Sequence, residues 1–197
     1  MNEFANDPGP EIEALVREVE ARMIEIRRDI HAHPETGFDT VRTAARVAEE
    51  LLTIGLEPKT EVGRTGVVAE IKGGAPGPCL ILRADMDALP IEEKTGLPYA
   101  STVPGKMHAC GHDLHTSALL GAAHALKQMA PKLRGTVRLV FQPAEETLES
   151  GAAAMLADGA GDGADMAIAF HNRPELEAGK VRLNRGAGTA SSDEFKV

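Results

Sequence analysis

The chain has 197 residues, 43% hydrophobic and 26% charged, with 3% aromatics and no Trp; it is long enough to bury one sizeable core, built here from aliphatic side chains. A formal net charge of −9 argues against nucleic acid or an anionic membrane as partner, and no apolar run approaches a membrane span. Two cysteines make no disulfide framework, so cytoplasm is the expected compartment.

Residues 1–10 lack the basic head and apolar body of a signal peptide and read as a disordered leader. From Glu11 to His33, apolar residues at Ile12, Leu15, Val16, Val19, Met23, Ile26 and Ile30 follow one helical face, and Pro34 ends it. Thr40 to Ile54 repeats the pattern with Val41, Ala44, Val47, Ala48, Leu51 and Leu52, and Gly55 suits a C-terminal cap. Val67 to Ile71 reads as a short strand closed by the turn-rich Gly73 to Pro78. Cys79-Leu80-Ile81-Leu82 is the continuous apolar run of a strand buried on both faces. Leu114 to Met129 reads as helix, with His124 a structural residue within it. Thr136 to Phe141 reads as a buried strand, Ser150 to Leu156 as helix and Ala164 to Phe170 as a further buried strand. Lys180 to Val197 alternates like strand material.

The densest chemistry lies in Met107-His-Ala-Cys-Gly-His-Asp-Leu-His-Thr116. Imidazole and thiolate bind borderline-soft metals, and in an extended loop Cys110 and His112, one residue apart, point the same way at one ion or at two close together. The plain alternative is a polar helix entry with a buried thiol and solvated histidines. Asp85 and Asp87 follow the Cys79–Leu82 strand; Asp85 taken alone reads as a turn former or helix cap. Glu145 and Glu146 follow the next strand, where the plain reading is an exposed helix start, and His171 follows the last. In an α/β fold with a mixed, mostly parallel sheet flanked by helices, these carboxyl ends share one edge, so groups distant in sequence converge. Cys, His, Glu and His make a ligand set for one or two divalent metals.

With these residues in view, the sequence resembles the M20 metallopeptidases, in the amidohydrolase branch of hippurate hydrolases, N-acyl-amino-acid deacylases and auxin-conjugate hydrolases. The matching blocks are Arg27 to Glu35, Arg83 to Pro90, Met107 to Asp113, Phe141 to Glu146 and Ala169 to His171, in family order. The resemblance implies a two-metal site (Zn, Mn, Co or Ni) with Cys110, His112, Glu146 and His171 as ligands. It makes Glu145 the general base and later acid, and Asp87 the acid that orients a ligand. The implied substrate is a small N-acyl-amino acid, hippurate-like, cleaved to carboxylate and amino acid; full-length relatives are implied to be homo-oligomeric. Leu114 and Asn172-Arg173 depart from the family pattern without touching a proposed ligand.

Family members continue into a lid and dimerisation domain and then return with a further histidine ligand. The expected division is therefore a leader over 1–10, an incomplete catalytic domain over 11–185 and the start of a lid over 186–197. His31, His33, His108, His115 and His124 all lie in blocks with other assignments, and uncovered apolar surface is expected. Three further readings remain open: a catalytically incomplete metal-binding fragment, a non-enzymatic interaction module, and a dipeptidase or aminopeptidase of the same superfamily. The dipeptidase branches usually carry His-x-Asp where this chain has Arg83-Ala84-Asp85, and lack a counterpart of Cys110.

Overall fold

The computed structural model describes residues 8–183 and Gly186. Helices α1 (Gly9–Ala32) and α2 (Val41–Thr53) are followed by strands β1 (Lys59–Val62), β2 (Gly66–Lys72) and β3 (Ala75–Asp85). Helix α3 (His112–Met129), strand β4 (Arg134–Gln142), helix α4 (Gly151–Ala157) and strand β5 (Met166–Ala169) complete the order. The sheet runs β1-β2-β4-β3-β5. β3 pairs parallel with both β4 and β5, while β2 runs antiparallel to β1 and β4. Four strands thus point one way with β2 reversed, the mixed α/β sheet expected, and the carboxyl ends of β3, β4 and β5 lie on one edge.

Three helices cover one face. Ile26 and Ile30 of α1, Val47 and Leu51 of α2 and Leu120 of α3, each 0% exposed, pack on Val67, Ala69, Ile71, Leu139 and Phe141 of β2 and β4. Full burial of such side chains stabilises by roughly 1.5–3 kcal/mol each. On the opposite face, Met155 of α4 covers Val62 and Val140 in a smaller cluster. Ser150 caps α4 by accepting the Ala153 N–H at 3.3 Å.

Several expectations need correction. α1 starts at Gly9, so the leader reading fails for residues 9–10, while residues 1–7 lie outside the described region. β1 was not anticipated: a Lys-Thr-Glu-Val strand buries only Val62 and shows no apolar alternation. β3 begins at Ala75, inside the Gly/Pro-rich stretch read as a connector. Pro76 and Pro78 are tolerated because β5 pairs only from Leu80 onward and the β4 register shifts between Ala75 and Cys79. Leu80, Ile81 and Leu82 are half-buried rather than buried on both faces, since the α4 layer is small. β5, read as buried, is an exposed edge strand, with Met166 53% and Ile168 57% exposed. Lys180–Leu183 forms no strand, and the rest of the tail, Gly186 apart, lies outside the described residues.

Apolar surface is indeed open. Helix α1 leaves Ile12, Val16 and Ile24 about two-fifths exposed, beside a groove of about 700 Å³ against α3. Among the described residues, no helix is long and apolar enough to cross a membrane.

Candidate metal centre

The turn before α3 places the ligand candidates. Gly111 has φ +88°, and a Cβ there would sit 2.4 Å from Asn172 Oδ1, so this position needs glycine for both conformation and space. His112 is the first residue of α3, which starts two residues before the expected Leu114. Cys110 and His112 therefore converge through a left-handed kink and not through the extended loop first expected. Cys110 Sγ lies 3.5 Å from His171 Nε2, and donor atoms of Cys110, His112 and His171 all lie within 4.8 Å of one another.

The β4 exit brings the glutamates. Ala144 holds φ +51°, an uncommon value for a residue with a side chain. It is pinned because its N–H donates to Gly37 O at 3.1 Å and its C=O accepts the Gly151 N–H at 3.0 Å. Glu145 and Glu146 then lie in a bend, not at a helix start; α4 begins only at Gly151. Asp87 clamps this bend: Oδ1 accepts the Glu145 N–H at 3.0 Å and Oδ2 the Glu146 N–H at 3.1 Å. The side chain of Glu146 is 22% exposed and that of Glu145 41%. Donor atoms of His112, Glu145 and Glu146 also lie within 4.8 Å of one another.

His112 is the hub. Its side chain is 0% exposed, yet among the described residues neither ring nitrogen has a hydrogen-bond partner. Nε2 faces Asp85 Oδ2 at 3.6 Å, Glu146 Oε1 at 3.7 Å and Glu145 Oε2 at 3.8 Å, and Nδ1 lies 3.5 Å from Asp87 Oδ1. A buried imidazole unpaired among carboxylates is costly unless a cation fills the gap. Separations of this size are spanned by ligand bonds of about 2.0–2.3 Å to a common ion. The donor set fits a divalent metal.

The electrostatics agree. Burial pushes the Cys110 thiol up, and Glu146, Asp85 and Glu145 push further, to about 12. Burial lowers the His112 pKa, but Asp87, Asp85 and Glu146 outweigh it and leave a net rise. Burial, with Glu146 and Asp85 adding, raises the Glu145 carboxyl against the opposing charges of His112 and Arg83. The pocket carries surplus negative charge that favours any bound cation.

Asp85 does not act as the turn former or cap first read. Burial raises its pKa, but the His115 hydrogen bond and the charges of His112, Arg83 and His115 more than reverse that, to about 2. Its Oδ1 pairs with His115 Nδ1 at 2.6 Å and its Oδ2 accepts from Arg83 Nη1 at 2.7 Å. His115 and Asn172, neither of them expected at the site, meet there through His115 Nε2. One sequence signal pointed to His115: it lies three residues beyond His112, on the same face of a helix.

Two other stretches act behind the site. Asp113, 0% exposed, accepts from His31 Nδ1 at 2.9 Å and Arg27 Nε at 3.1 Å, which ties the first turn of α3 to α1. Glu35 accepts the Arg42 and Thr43 N–H groups at 2.9 and 2.7 Å, capping α2, while its own C=O accepts the Ala88 N–H. The Arg27–Glu35 stretch thus locks α1 and α2 to the loop that carries Asp87. His124, as expected, is structural: its Nε2 pairs with the buried Glu50 at 3.0 Å.

Comparison with known proteins gives a consistent picture. The model of peptidase family M20/M25/M40 matches residues 81–190. The chain is 49% identical to an N-acetyl-L-cysteine deacetylase of Bacillus subtilis, over 91% of this chain and 43% of that protein. It is 43% identical to an N-acyl-L-amino acid amidohydrolase of Geobacillus stearothermophilus, over 95% of this chain and 50% of that one. The crystal structure of the Bacillus subtilis YXEP protein, described as a dinuclear metal binding peptidase, superposes with a TM-score of 0.78 at 45% identity. That match covers 81% of this chain and 45% of the other. The chain spans about half the length of these relatives.

Proposed function

The chain belongs to peptidase family M20/M25/M40, and on that premise we propose that it carries the metal centre of an amidohydrolase cleaving N-acyl-amino acids to carboxylate and amino acid. The observation that carries this reading is the buried, unpartnered His112 ring, ringed by Cys110, His171, Glu145 and Glu146 donor atoms. The names of the relatives, an N-acetyl-L-cysteine deacetylase and an N-acyl-L-amino acid amidohydrolase, support the substrate class.

Cys110, His112, Glu146 and His171 would hold two divalent ions. A thiolate favours zinc, while a mixed Cys/His/Glu set also accepts manganese, cobalt or nickel. Such ions, when bound, acidify water and polarise an amide carbonyl. Glu145 takes the proton from the attacking water and later delivers it to the leaving amine. Its greater exposure at the mouth of the site and its raised pKa suit both transfers. Asp87 holds Glu145 and Glu146 in place through their backbone N–H groups. The Cys110 thiol must give up its proton to ligate, which an adjacent divalent cation favours, and must stay reduced, as it would in a compartment such as the cytoplasm.

Elemental analysis of the zinc- or manganese-incubated protein tests the reading, paired with assays on N-acetylcysteine and hippurate. About two ions per chain are expected, falling in Cys110→Ala. A folded chain that takes up no metal would refute it.

A further inference from the structure

His115 has none of the roles above. It is 2% exposed and lies three residues beyond His112 on α3. Its Nδ1 is 2.6 Å from Asp85 Oδ1, and because a carboxylate only accepts, the imidazole donates there. Its Nε2 meets Asn172 twice, at the backbone nitrogen (3.1 Å) and the side-chain oxygen (2.6 Å). A neutral ring accepts from the first and a protonated ring donates to the second, so Asn172 holds this nitrogen in either state. Donor atoms of Asp85, His112 and His115 lie within 4.8 Å of one another, yet both His115 nitrogens are engaged in hydrogen bonds. The ring is therefore not free to ligate.

What it holds is the end of β5. All four residues of that strand are exposed, and among the described residues it pairs only with β3. Its start is tied where the Asp165 N–H donates to Cys79 O at 2.9 Å and the Cys79 N–H to Asp165 Oδ2 at 2.7 Å. Its exit, where His171 stands, is tied by Asn172 to His115. The His115 ring centroid is 4.6 Å from that of His171 and 5.3 Å from that of His112. Arg83 completes the chain of contacts by donating to Asp85.

We propose that His115 is a positioning residue that seats His171 against Cys110 and His112 by bridging Asp85 at the end of β3 to Asn172 at the exit of β5. This rests on reading the site as a metal centre. Without the bridge, His171 follows the end of a weakly packed edge strand and loses its fixed place in the ligand set.

The test is a Co2+ titration of the 197-residue protein, followed by the visible absorption of the bound ion, in four forms: unsubstituted, His115→Phe, His171→Ala and the double substitution. Phenylalanine keeps a ring and removes the hydrogen bonds at both nitrogens. His115→Phe is expected to weaken Co2+ binding roughly 10- to 100-fold and to shift the absorption toward that of His171→Ala. In the His171→Ala background the same change should cost less than about twofold, because the two act as one unit. His115→Gln, which retains a donor and an acceptor, should recover most of the affinity, and this comparison with His115→Ala stands in if the Phe variant does not fold. Equal losses in both backgrounds, or no loss, would overturn the proposal while leaving the metal reading intact. An unsubstituted protein that binds no Co2+ would overturn both.

Discussion

Replacing Asp87 with asparagine changes one oxygen to an amide in a side chain 1% exposed, with little change of shape. Each Asp87 oxygen accepts one backbone N–H, from Glu145 at 3.0 Å and from Glu146 at 3.1 Å. Asparagine retains a single acceptor oxygen, and its NH2 group faces the other N–H. The loss is one hydrogen bond to a charged acceptor, about 1.5–3 kcal/mol, or roughly 10- to 150-fold in an equilibrium constant. Because the bend carries Glu146, and Oδ1 also lies 3.5 Å from His112 Nδ1, that loss should reach the metal. Zn2+ or Co2+ titration of Asp87→Asn should show a dissociation constant raised within this range, alongside a lower denaturant midpoint for the apoprotein. Metal affinity equal to that of the unsubstituted protein, with an unchanged midpoint, would refute the idea that Asp87 holds the two glutamates.

Glu145→Gln should keep its metal while hydrolysis of N-acyl-amino acids falls about 10²- to 10⁴-fold; comparable turnover would remove Glu145 as the proton carrier. The Asp85 carboxyl sits at about 2 against an ordinary 3.8, so its contribution is complete above the unfolded value and is lost as pH falls through the folded one. Unfolding free energy measured across that acid window should drop by about 2 kcal/mol on this account, and Asp85→Asn should flatten the slope; parallel slopes would contradict it. Glu50 is 2% exposed and pairs with Arg22 at 3.1 Å and His124 at 3.0 Å, away from the site. Glu50→Ala should therefore cost about 1.5–3 kcal/mol in denaturant unfolding with metal affinity unchanged, and a large loss of affinity would show that this cluster is coupled to the centre.

Local chemistry accounts for what could be read early. Helical periodicity located α1, α2 and α3, because one face of each must be apolar to bury. The β-branched run at Val67–Ile71 marked most of β2 for the same reason. The ligand candidates Cys110, His112, Glu146 and His171, and Glu145 as candidate base, were visible because metal-binding side chains are rare at such density and stood just beyond strand ends. β1 escaped because only Val62 is buried in it, and the start of β3 because prolines at an unpaired edge look like a turn. β5 looked buried because an apolar run carries no sign of whether a neighbour covers it.

By itself, then, the sequence determined the helices, most of the strands and which side chains offer metal-binding donor atoms, since these depend on residues close together in the chain. Only the tertiary structure decided what those side chains do to one another. The Gly111 kink turns Cys110 and His112 together, Asp87 holds a bend 58 residues away, and His115 joins Asp85 to Asn172 across 30 and 57 residues. Such partners are selected by distance in space, and hydrogen bonds between remote segments leave no periodic trace along the chain.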